Sequence, residues 1–495
     1  MVSTTGATDP SKSASLTWRG VQSAGAVLWG RGTAVCQRRR RSASVAARQA
    51  ILALEATHAP RRASVWAKLG EAPLARALEH LAGVAWATAD PFPAQDLAAM
   101  VTRYAEAGWR VDAAALDAQA AVRTTADREA VASALHATYS PWLWDTAARF
   151  QEAIKAAPDQ GRPRPHDAAP GTCVLFADGL RYDLAARLAE GLGRDGSNVK
   201  ISGSVGPLPG VTPSAKPAQS PVADRLGPGP KLNVIGPGSS SAMTQTALRK
   251  LLADARWTFL GPGDVGAPDG TGRAWTESGN IDSYGHNQPQ DLPAQAHREV
   301  AALRERVGGL IAAGWTRVVV VTDHGWLLTP RPMPKTDLPV GLTVEKKGRT
   351  ARLEPGAKTD VQTVPWCWDP GVMVAMAPGA SCFEDGKRYE HGGLSPQECV
   401  VPTLVVTAPA SARPAASVTI ATLAWTGLRC QVALTGGAPG MAVDIRERAG
   451  DASTSIAKRP VPVGDAPEVR IVMRDDSFED KSAIVVVLDL SLIHI

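Results

Sequence analysis

The chain has 495 residues, of which 53 are Lys or Arg and 48 are Asp or Glu, so its formal net charge is +5. Residues 1–42 hold seven basic residues against one acid and carry a charge of +6, whereas the charges of residues 43–495 sum to −1. The positive net charge therefore gives no reason to expect that residues 43–495 bind nucleic acid. Since no segment approaches the ~18 consecutive apolar residues of a membrane span or shows a signal-peptide pattern, we expect a cytoplasmic protein without a membrane segment.

The first third of the chain changes from a leader to helices. Residues 1–42 are rich in Ser, Thr, Ala and Gly without periodicity, which predicts a disordered basic leader. Residues 43–157 carry apolar residues at helical spacing, as at Leu74, Leu78 and Leu81, and we predict a domain of packed helices. Five tryptophans are expected to anchor its core, namely Trp66, Trp86, Trp109, Trp142 and Trp144.

After the Pro- and Gly-rich linker Pro158–Gly171 the pattern becomes that of an α/β domain, which we predict over residues 170–408. Thr172–Ala177 and Val318–Thr322 are continuous apolar strands, and Gly371–Met376 is a third apolar run. Strands in which apolar residues do not alternate with polar ones, and which are separated by long helices, predict a mostly parallel sheet covered on both faces. In such sheets functional residues cluster beyond the C-terminal ends of the strands.

Two segments within this domain are predicted to be irregular, Gly203–Ser240 and Pro330–Pro365. Beyond about residue 408, short alternating segments predict a β-rich C-terminal domain over residues 409–495. The last six residues, Leu490–Ile495, resemble a translated sequencing adapter, and we expect the C-terminus to be truncated.

Polar side chains stand at the predicted strand ends. Asp178 follows the first strand, and Asp323 and His324 follow the second, so all three can bind a metal at one edge of the sheet. Asp282 and His286 are four residues apart and can share one face of a helical turn or one side of a tight loop, so both can reach a single cation.

A sixth candidate ligand is His391, which precedes two glycines. Each motif alone has a structural alternative, such as a turn-capping Asp or a His in a surface loop. Together, three Asp and three His suit zinc or manganese better than magnesium. Six ligands exceed what one tetrahedral ion requires, and two ions ~3.5–4 Å apart can clamp the attacking and leaving oxygens of a phosphoryl displacement. Thr212 and Ser214, in the loop Pro207–Lys216, are the candidate nucleophiles, because metal coordination helps a hydroxyl to lose its proton.

The order of these motifs resembles that of the alkaline phosphatase superfamily, and the local strings are similar to its PglZ branch, from BREX bacteriophage-resistance systems. Two strings carry this resemblance: Phe176–Asp183 (Phe-Ala-Asp-Gly-Leu-Arg-Tyr-Asp) and Glu390–Glu398 (Glu-His-Gly-Gly-Leu-Ser-Pro-Gln-Glu), which continues into Val401-Pro402. The resemblance covers about residues 170–408 and implies an alkaline-phosphatase-like, mostly parallel sheet flanked by helices.

The resemblance also implies roles for individual residues. The first metal would be held by Asp178, Asp323 and His324. The nucleophile Thr212 would touch this metal. Thr212 is preferred to Ser214 because in phosphodiesterase-like members of the superfamily a Thr follows a proline-containing turn at this place. The second metal would be held by Asp282, His286 and His391. Arg181 and Lys216 would neutralise phosphate oxygens, with an ion pair between Arg181 and Asp183 as the alternative.

The activity implied is that of a two-metal phosphatase or phosphodiesterase, with zinc as the expected metal, manganese as the alternative, and nucleic acid among the candidate substrates. Its partners would be other BREX components, among them a methyltransferase and an ATPase. A second hypothesis makes the α/β domain a metal-stabilised scaffold of the defence complex whose catalytic activity is dispensable.

Overall fold

The structure is a computed structural model that describes residues 34–92, 96–157, 160–163, 168–408, 418–435, 441–449, 451–464, 468–478 and 482–489. Its N-terminal part consists of helices α1 (Ala34–His58), α2 (Val65–Lys68), α3 (Pro73–Ala87), α4 (Leu97–Arg103), α5 (Trp109–Ala120) and α6 (Thr125–Ala156). Among the described residues, no helix is both long enough and apolar enough to cross a membrane.

Helix α1 begins inside the segment predicted to be disordered. Residues 34–42 are helical, and arginine, which occupies all four positions 38–41, is a good helix former. The rest of the predicted leader, residues 1–33, lies outside the described residues.

The tryptophans of the helical part do not share one role. Trp142 is 6% exposed and belongs to the core, as predicted. Trp66 and Trp86 are 62% and 76% exposed, so the prediction that they anchor the core is wrong. In α3, for example, the buried face is formed by smaller residues such as Leu78 and Leu81, and Trp86 falls outside it.

The α/β part begins after residue 168. Its helices are α7 (Tyr182–Arg194), α8 (Thr212–Ala218), α9 (Gln245–Asp254), α10 (Ile281–Asn287), α11 (Leu292–Ala312) and α12 (Pro396–Cys399). Its strands are β1 (Thr172–Phe176), β2 (Asn198–Val205), β3 (Gly227–Pro228), β4 (Val234–Ile235), β5 (Thr258–Leu260), β6 (Arg273–Glu277), β7 (Arg317–Val321), β8 (Leu327–Leu328), β9 (Thr343–Lys347), β10 (Thr350–Leu353), β11 (Thr363–Trp366), β12 (Asp369–Met376), β13 (Tyr389–Glu390) and β14 (Val400–Thr407).

A six-stranded sheet in the order β2-β14-β7-β1-β6-β5 forms the centre. The pairs β1–β6, β1–β7 and β5–β6 are parallel, and β14 runs antiparallel to both β7 and β2. Five strands therefore point the same way, and the predicted mostly parallel sheet is confirmed. The antiparallel strand β14 was not predicted.

Helices cover both faces of this sheet. On one face, Cys173 and Leu175 of β1 pack with residues of α7 and α11, and on the other face Val174 and Phe176 pack with residues of α9. Because neighbouring residues of a strand point to opposite faces, both must be apolar when both faces are covered. This burial explains the continuous apolar run that predicted the strand, and each such side chain contributes about 1.5–3 kcal/mol.

The third apolar run lies in a different sheet. Gly371–Met376 is part of β12, in a separate four-stranded sheet of the order β11-β12-β10-β9 whose pairs are antiparallel. Its assignment to the parallel sheet is thus wrong, as is the prediction of an irregular segment at 330–365, which contains β9 and β10. An apolar run shows that a strand is buried but does not identify its partner.

The helical part packs directly on the α/β part. One core cluster contains Leu143 and Phe150 of α6 together with Trp366 and Leu394, all four fully buried. Gln151 of α6 also donates hydrogen bonds to the backbone oxygens of the 377–394 region. The helices therefore support the α/β core from outside the sheet.

The C-terminal part is β-rich, as predicted. Its strands are β15 (Thr419–Thr426), β16 (Arg429–Thr435), β17 (Met441–Arg446), β18 (Val461–Pro462), β19 (Glu468–Val472) and β20 (Ile484–Asp489). They form two three-stranded antiparallel sheets with a core cluster of their own. Residues 490–495, on which the expected truncation depends, lie outside the described residues.

Candidate metal centre

Two neighbouring strands deliver the first group of candidate ligands. Strands β1 and β7 pair in parallel with Phe176 opposite Val321, so the residues that follow them emerge at the same edge of the sheet. The side chain of His324 places its Nε2 atom 3.6 Å from Asp178 Oδ1 and 3.5 Å from Asp323 Oδ2. We call Asp178, Asp323 and His324 the strand-end group.

Backbone hydrogen bonds hold this group in place. Asp323 Oδ1 accepts hydrogen bonds from the N–H groups of Gly179, at 3.3 Å, and of His324, at 3.1 Å. His324 Nδ1 lies 3.0 Å from the carbonyl oxygen of Gly325. When Nδ1 donates its proton to that oxygen, the lone pair of Nε2 is available to a cation, as in many metal sites.

Two carboxylate oxygens of the strand-end group have no hydrogen-bond partner although both are buried. They are Asp178 Oδ1 and Asp323 Oδ2, the carboxylate oxygens of this group that face His324 Nε2. Burial, together with the negative charge of Asp323, raises the pKa of Asp178 to about 8. Burial disfavours a charged His324 ring, but the carboxylates of Asp323, Asp282 and Asp178 outweigh it and raise the pKa of His324. Buried oxygens without partners are costly, and a divalent cation would satisfy both, so this donor set fits a metal.

The second group comes from a helix and a loop. Asp282 and His286 lie on α10, and Asp282 Oδ1 is 3.6 Å from Nε2 of His286 and also 3.6 Å from Nε2 of His391. Burial opposes the charged form of Asp282, but the histidines His391, His324 and His286 reverse the balance and lower its pKa. We call Asp282, His286 and His391 the helix-loop group.

Contacts from other segments orient the helix-loop group. Tyr389 donates its hydroxyl proton to Asp282 Oδ1 at 2.8 Å, and His391 Nδ1 lies 2.8 Å from the carbonyl oxygen of Gly210. Gly392, directly after His391, has φ +84°, and a Cβ there would lie 2.8 Å from Val211 Cγ1. Only glycine therefore fits without displacing the loop. Burial and the nearby His324 lower the pKa of His391 to about 3, so its ring is neutral, as a metal ligand requires.

The two groups meet at His324. The rings of His324 and His391 stack with centroids 3.7 Å apart and an interplanar angle of 1°. Ligand atoms of Asp282, His324 and His391 lie within 4.8 Å of one another, as do those of the strand-end group. His324 thus belongs to two clusters of candidate ligands, whereas the resemblance implied that it serves the first metal alone.

Thr212, and not Ser214, lies at the centre. Thr212 is the first residue of α8, and its Oγ1 is 3.2 Å from His324 Nε2. Ser214 is fully buried, and its Oγ accepts a hydrogen bond from the Trp366 indole at 2.8 Å. The geometry therefore favours Thr212 as the nucleophile.

The two predicted phosphate-binding cations are both paired with carboxylates. Arg181 is 2% exposed, and its guanidinium donates two hydrogen bonds to the Asp183 carboxylate, from Nε at 2.6 Å and from Nη2 at 2.7 Å. Its Cζ atom lies 3.7 Å from the centroid of the Trp326 ring. This placement contradicts the assignment of Arg181 to substrate binding and agrees with the alternative ion pair. Lys216 Nζ lies 2.7 Å from Glu277 Oε2.

Sequence reasoning missed the residues that support the ligands. Trp326 donates its indole N–H to the carbonyl oxygen of Gly179 at 2.9 Å and so ties the loop after β7 to the loop after β1. Tyr389 lies two residues before His391, and Trp326 lies two residues after His324. Their nearness in sequence to a candidate ligand was the only available signal.

No known protein-family profile matches this chain, and no curated protein matches it. Among solved structures, the chain is similar to the murine ectonucleotide pyrophosphatase / phosphodiesterase 5, with 12% sequence identity and a TM-score of 0.31, over 49% of this chain and 89% of that chain. With so low an identity and TM-score, the likeness assigns neither an activity nor a residue role to the present chain.

Proposed function

We propose that this protein is a two-metal phosphoester hydrolase of the alkaline phosphatase type. The observation that carries the proposal is the convergence of three carboxylates and two histidines in two overlapping clusters, in which two buried carboxylate oxygens have no hydrogen-bond partner. A divalent ion would satisfy both of these oxygens, which no hydrogen-bond donor of the described residues reaches. His286 lies outside both clusters, although its Nε2 is 3.6 Å from Asp282 Oδ1.

In this proposal the strand-end group, Asp178, Asp323 and His324, holds one ion, and the helix-loop group, Asp282, His286 and His391, holds the other. The mixture of carboxylate and imidazole ligands favours zinc, with manganese as the alternative. When bound, such ions neutralise phosphate charge and lower the pKa of a coordinated hydroxyl.

Thr212 is the proposed nucleophile. Its hydroxyl gives up its proton to solvent, Oγ1 forms a bond to phosphorus, and the bond from phosphorus to the leaving oxygen breaks. The leaving oxygen takes a proton from solvent. Water then cleaves the phosphothreonine and restores the side chain. The distance of 3.2 Å between Thr212 Oγ1 and His324 Nε2 supports this role, since it keeps the hydroxyl beside the ligand that both groups share.

We further propose that phosphodiesters are better substrates than monoesters. A monoester carries two negative charges near neutral pH, and a diester carries one. The two cations that the resemblance assigned to phosphate binding, Arg181 and Lys216, are already paired with Asp183 and Glu277. A nucleic-acid backbone is one such diester.

The test is hydrolysis of an aryl phosphodiester and an aryl phosphomonoester by purified protein supplied with zinc or manganese, with and without a chelator. We expect metal-dependent cleavage, faster for the diester, that Thr212→Ala abolishes. Incubation with plasmid DNA tests the nucleic-acid substrate in the same way. Equal activity of wild type and Thr212→Ala would disprove the nucleophile, and activity that survives the chelator would disprove the metal dependence.

The cellular role that we propose is that of the PglZ component of a cytoplasmic BREX system, acting with a methyltransferase and an ATPase. Its support is the similarity of the strings around Asp178 and His391, which flank the candidate metal centre. We expect cells that carry the complete system with Thr212→Ala to lose phage resistance. Retained resistance would instead favour the scaffold hypothesis.

A further inference from the structure

A fully buried ion pair lies behind the histidine loop. Arg349, in the turn between β9 and β10, and Glu398, in α12, are 0% and 2% exposed. The guanidinium meets the carboxylate through two hydrogen bonds, Nε to Oε1 at 2.7 Å and Nη2 to Oε2 at 3.2 Å. Neither residue belongs to the ligand groups described above.

The carboxylate of Glu398 binds the loop that carries His391. Its Oε1 accepts the N–H of Gly393 at 2.8 Å, two residues beyond His391, and its Oε2 accepts the hydroxyl of Ser395 at 2.7 Å. Each carboxylate oxygen therefore has one partner from the guanidinium and one from the loop.

The backbone of Glu398 binds the other histidine segment. Its carbonyl oxygen accepts the N–H of Gly325, the residue after His324, at 3.0 Å. One residue is thus tied to the chain beside both His324 and His391, whose rings stack on each other.

Arg349 is anchored on its far side by other backbone groups. Its Nη2 donates to the carbonyl oxygen of Gly379 at 2.9 Å, and its Nη1 donates to that of Ser381. A side chain at Gly393 would collide with the guanidinium, so the loop approaches Arg349 as closely as the backbone allows. The β9–β12 sheet thereby contributes a residue that braces the metal centre.

Stability alone does not account for such a pair. Removing two charges from water costs several kcal/mol per ion, and apolar residues of similar volume are often as stabilising as a buried ion pair. What a charged, bidentate pair adds is a defined geometry. Here that geometry sets the position of Gly393 relative to a rigid sheet, while Gly210 orients the His391 ring from the other side.

We infer that Arg349 and Glu398 are positioning residues that hold His391 in place for the second ion. This inference rests on the proposed two-metal function. The two side chains touch neither ion nor substrate and act on the metal centre through the His391 loop. The contact with Gly325 is made by the backbone of Glu398, so a side-chain substitution leaves it in place. Loosening it should therefore weaken the ion of the helix-loop group and leave the ion of the strand-end group bound.

The experiment is zinc binding by the full chain, measured by calorimetry and by the absorption of bound cobalt(II), in wild type and in Glu398→Gln. We expect wild type to bind two ions. Glu398→Gln should bind the first with unchanged affinity and the second about 10–100-fold more weakly, as for other residues that orient metal ligands. Excess zinc should restore hydrolysis by the variant, because only the affinity has changed.

Asp444→Asn is the matched control. Asp444 forms a buried pair with Arg446 at 2.8 Å in the C-terminal part, where no candidate ligand lies among the described residues. The Asp444→Asn variant should lose about as much stability as Glu398→Gln does, and it should bind both ions with the affinity of wild type. Equal weakening of the second ion in the control would assign the effect to general destabilisation and overturn the inference.

Three further outcomes are informative. Unchanged binding of the second ion by folded Glu398→Gln, or equal loss of both ions, overturns the positioning role while leaving the proposed function intact. A wild-type chain that binds no second ion refutes the two-metal function itself, and the inference with it. If Glu398→Gln does not fold, Arg349→Lys is measured instead, because it keeps the positive charge but loses the bidentate contact. A second ion that alone binds more weakly to Arg349→Lys supports the inference, and unchanged binding overturns it.

Discussion

The strand-end group and the helix-loop group are built in different ways. Asp178, Asp323 and His324 follow two hydrogen-bonded strands of one sheet, so the strand register itself brings them together. The helix-loop group combines a short helix with a loop that follows β13, and it depends on contacts from Tyr389, Gly210 and Glu398. The comparison teaches that a sheet edge positions ligands by its own geometry, whereas ligands on separate segments need additional supports.

The largest effect is expected at the residue where the two groups meet. His324→Ala removes a ligand within reach of both ions, so we expect neither ion to bind tightly and hydrolysis to fall at least about 10³-fold. Metal content and the rate of diester cleavage measure it. His297→Ala, which removes a partly exposed histidine beside Asp117, is the control and should leave both unchanged. Two tightly bound ions in His324→Ala would mean that the groups do not meet at this residue.

Thr212→Ala separates chemistry from metal binding. Because Thr212 supplies the attacking oxygen in our proposal, the rate should fall at least about 10³-fold while both ligand groups still bind metal. Ser214→Ala should leave the rate nearly unchanged and destabilise the fold by about 1–3 kcal/mol, because the buried Trp366 indole loses its acceptor. Single-turnover kinetics and thermal unfolding distinguish the two variants, and a larger loss of rate in Ser214→Ala would reverse the assignment.

The α/β part contacts the helical part at a buried carboxylate, through which the stability of the fold should depend on pH. Asp112 is fully buried in α5, accepts hydrogen bonds from Tyr104 and Tyr139, and lies next to Arg181. Burial raises its pKa to about 6, although Arg181 opposes the shift. The pKa is higher in the folded than in the unfolded chain, so Asp112 stabilises the fold below about pH 4, and this contribution is lost as the pH rises through about 6.

The pH effect is measured as the free energy of unfolding of wild type relative to Asp112→Asn. We expect the difference to shrink by about 3 kcal/mol as the pH rises, mostly between about pH 4 and about pH 6, and to stay constant above about pH 7. A difference that does not change with pH would show that Asp112 has an ordinary pKa.

The smallest effect is expected at a support of the helix-loop group. Tyr389→Phe removes the hydroxyl that donates to Asp282, so the second ion should bind about 10–100-fold more weakly and the first should be unaffected. The control is Tyr284→Phe, on the helix that carries Asp282, since the Tyr284 hydroxyl makes no hydrogen bond to any described residue. Cobalt(II) titration resolves the two ions, and equal weakening of both by Tyr389→Phe would contradict the separate support of the two groups.

Local sequence patterns were sufficient for part of this molecule. The apolar strands β1 and β7, the parallel sheet and the β-rich C-terminal part could be predicted because burial on both faces, or on one, leaves a periodic trace in the chain. Asp178, Asp323 and His324 could be named as a group because parallel strands end at one edge. The spacing of Asp282 and His286 allowed a helical turn or a tight loop, and the structure has a helix there.

Other features depend on contacts between distant residues. The partner of Gly371–Met376, the exposure of Trp66 and Trp86, and the pairing of Lys216 with Glu277 are decided by which segments pack together, and no local pattern reports that choice. The sequence by itself determined the types and order of the candidate ligands and the strands that carry half of them. Only the tertiary structure decided that His391 stacks on His324 and that Ser214 is buried against Trp366. It also decided that Glu398 contacts both histidine segments. All of these contacts join residues far apart in the chain, so no local pattern encodes them.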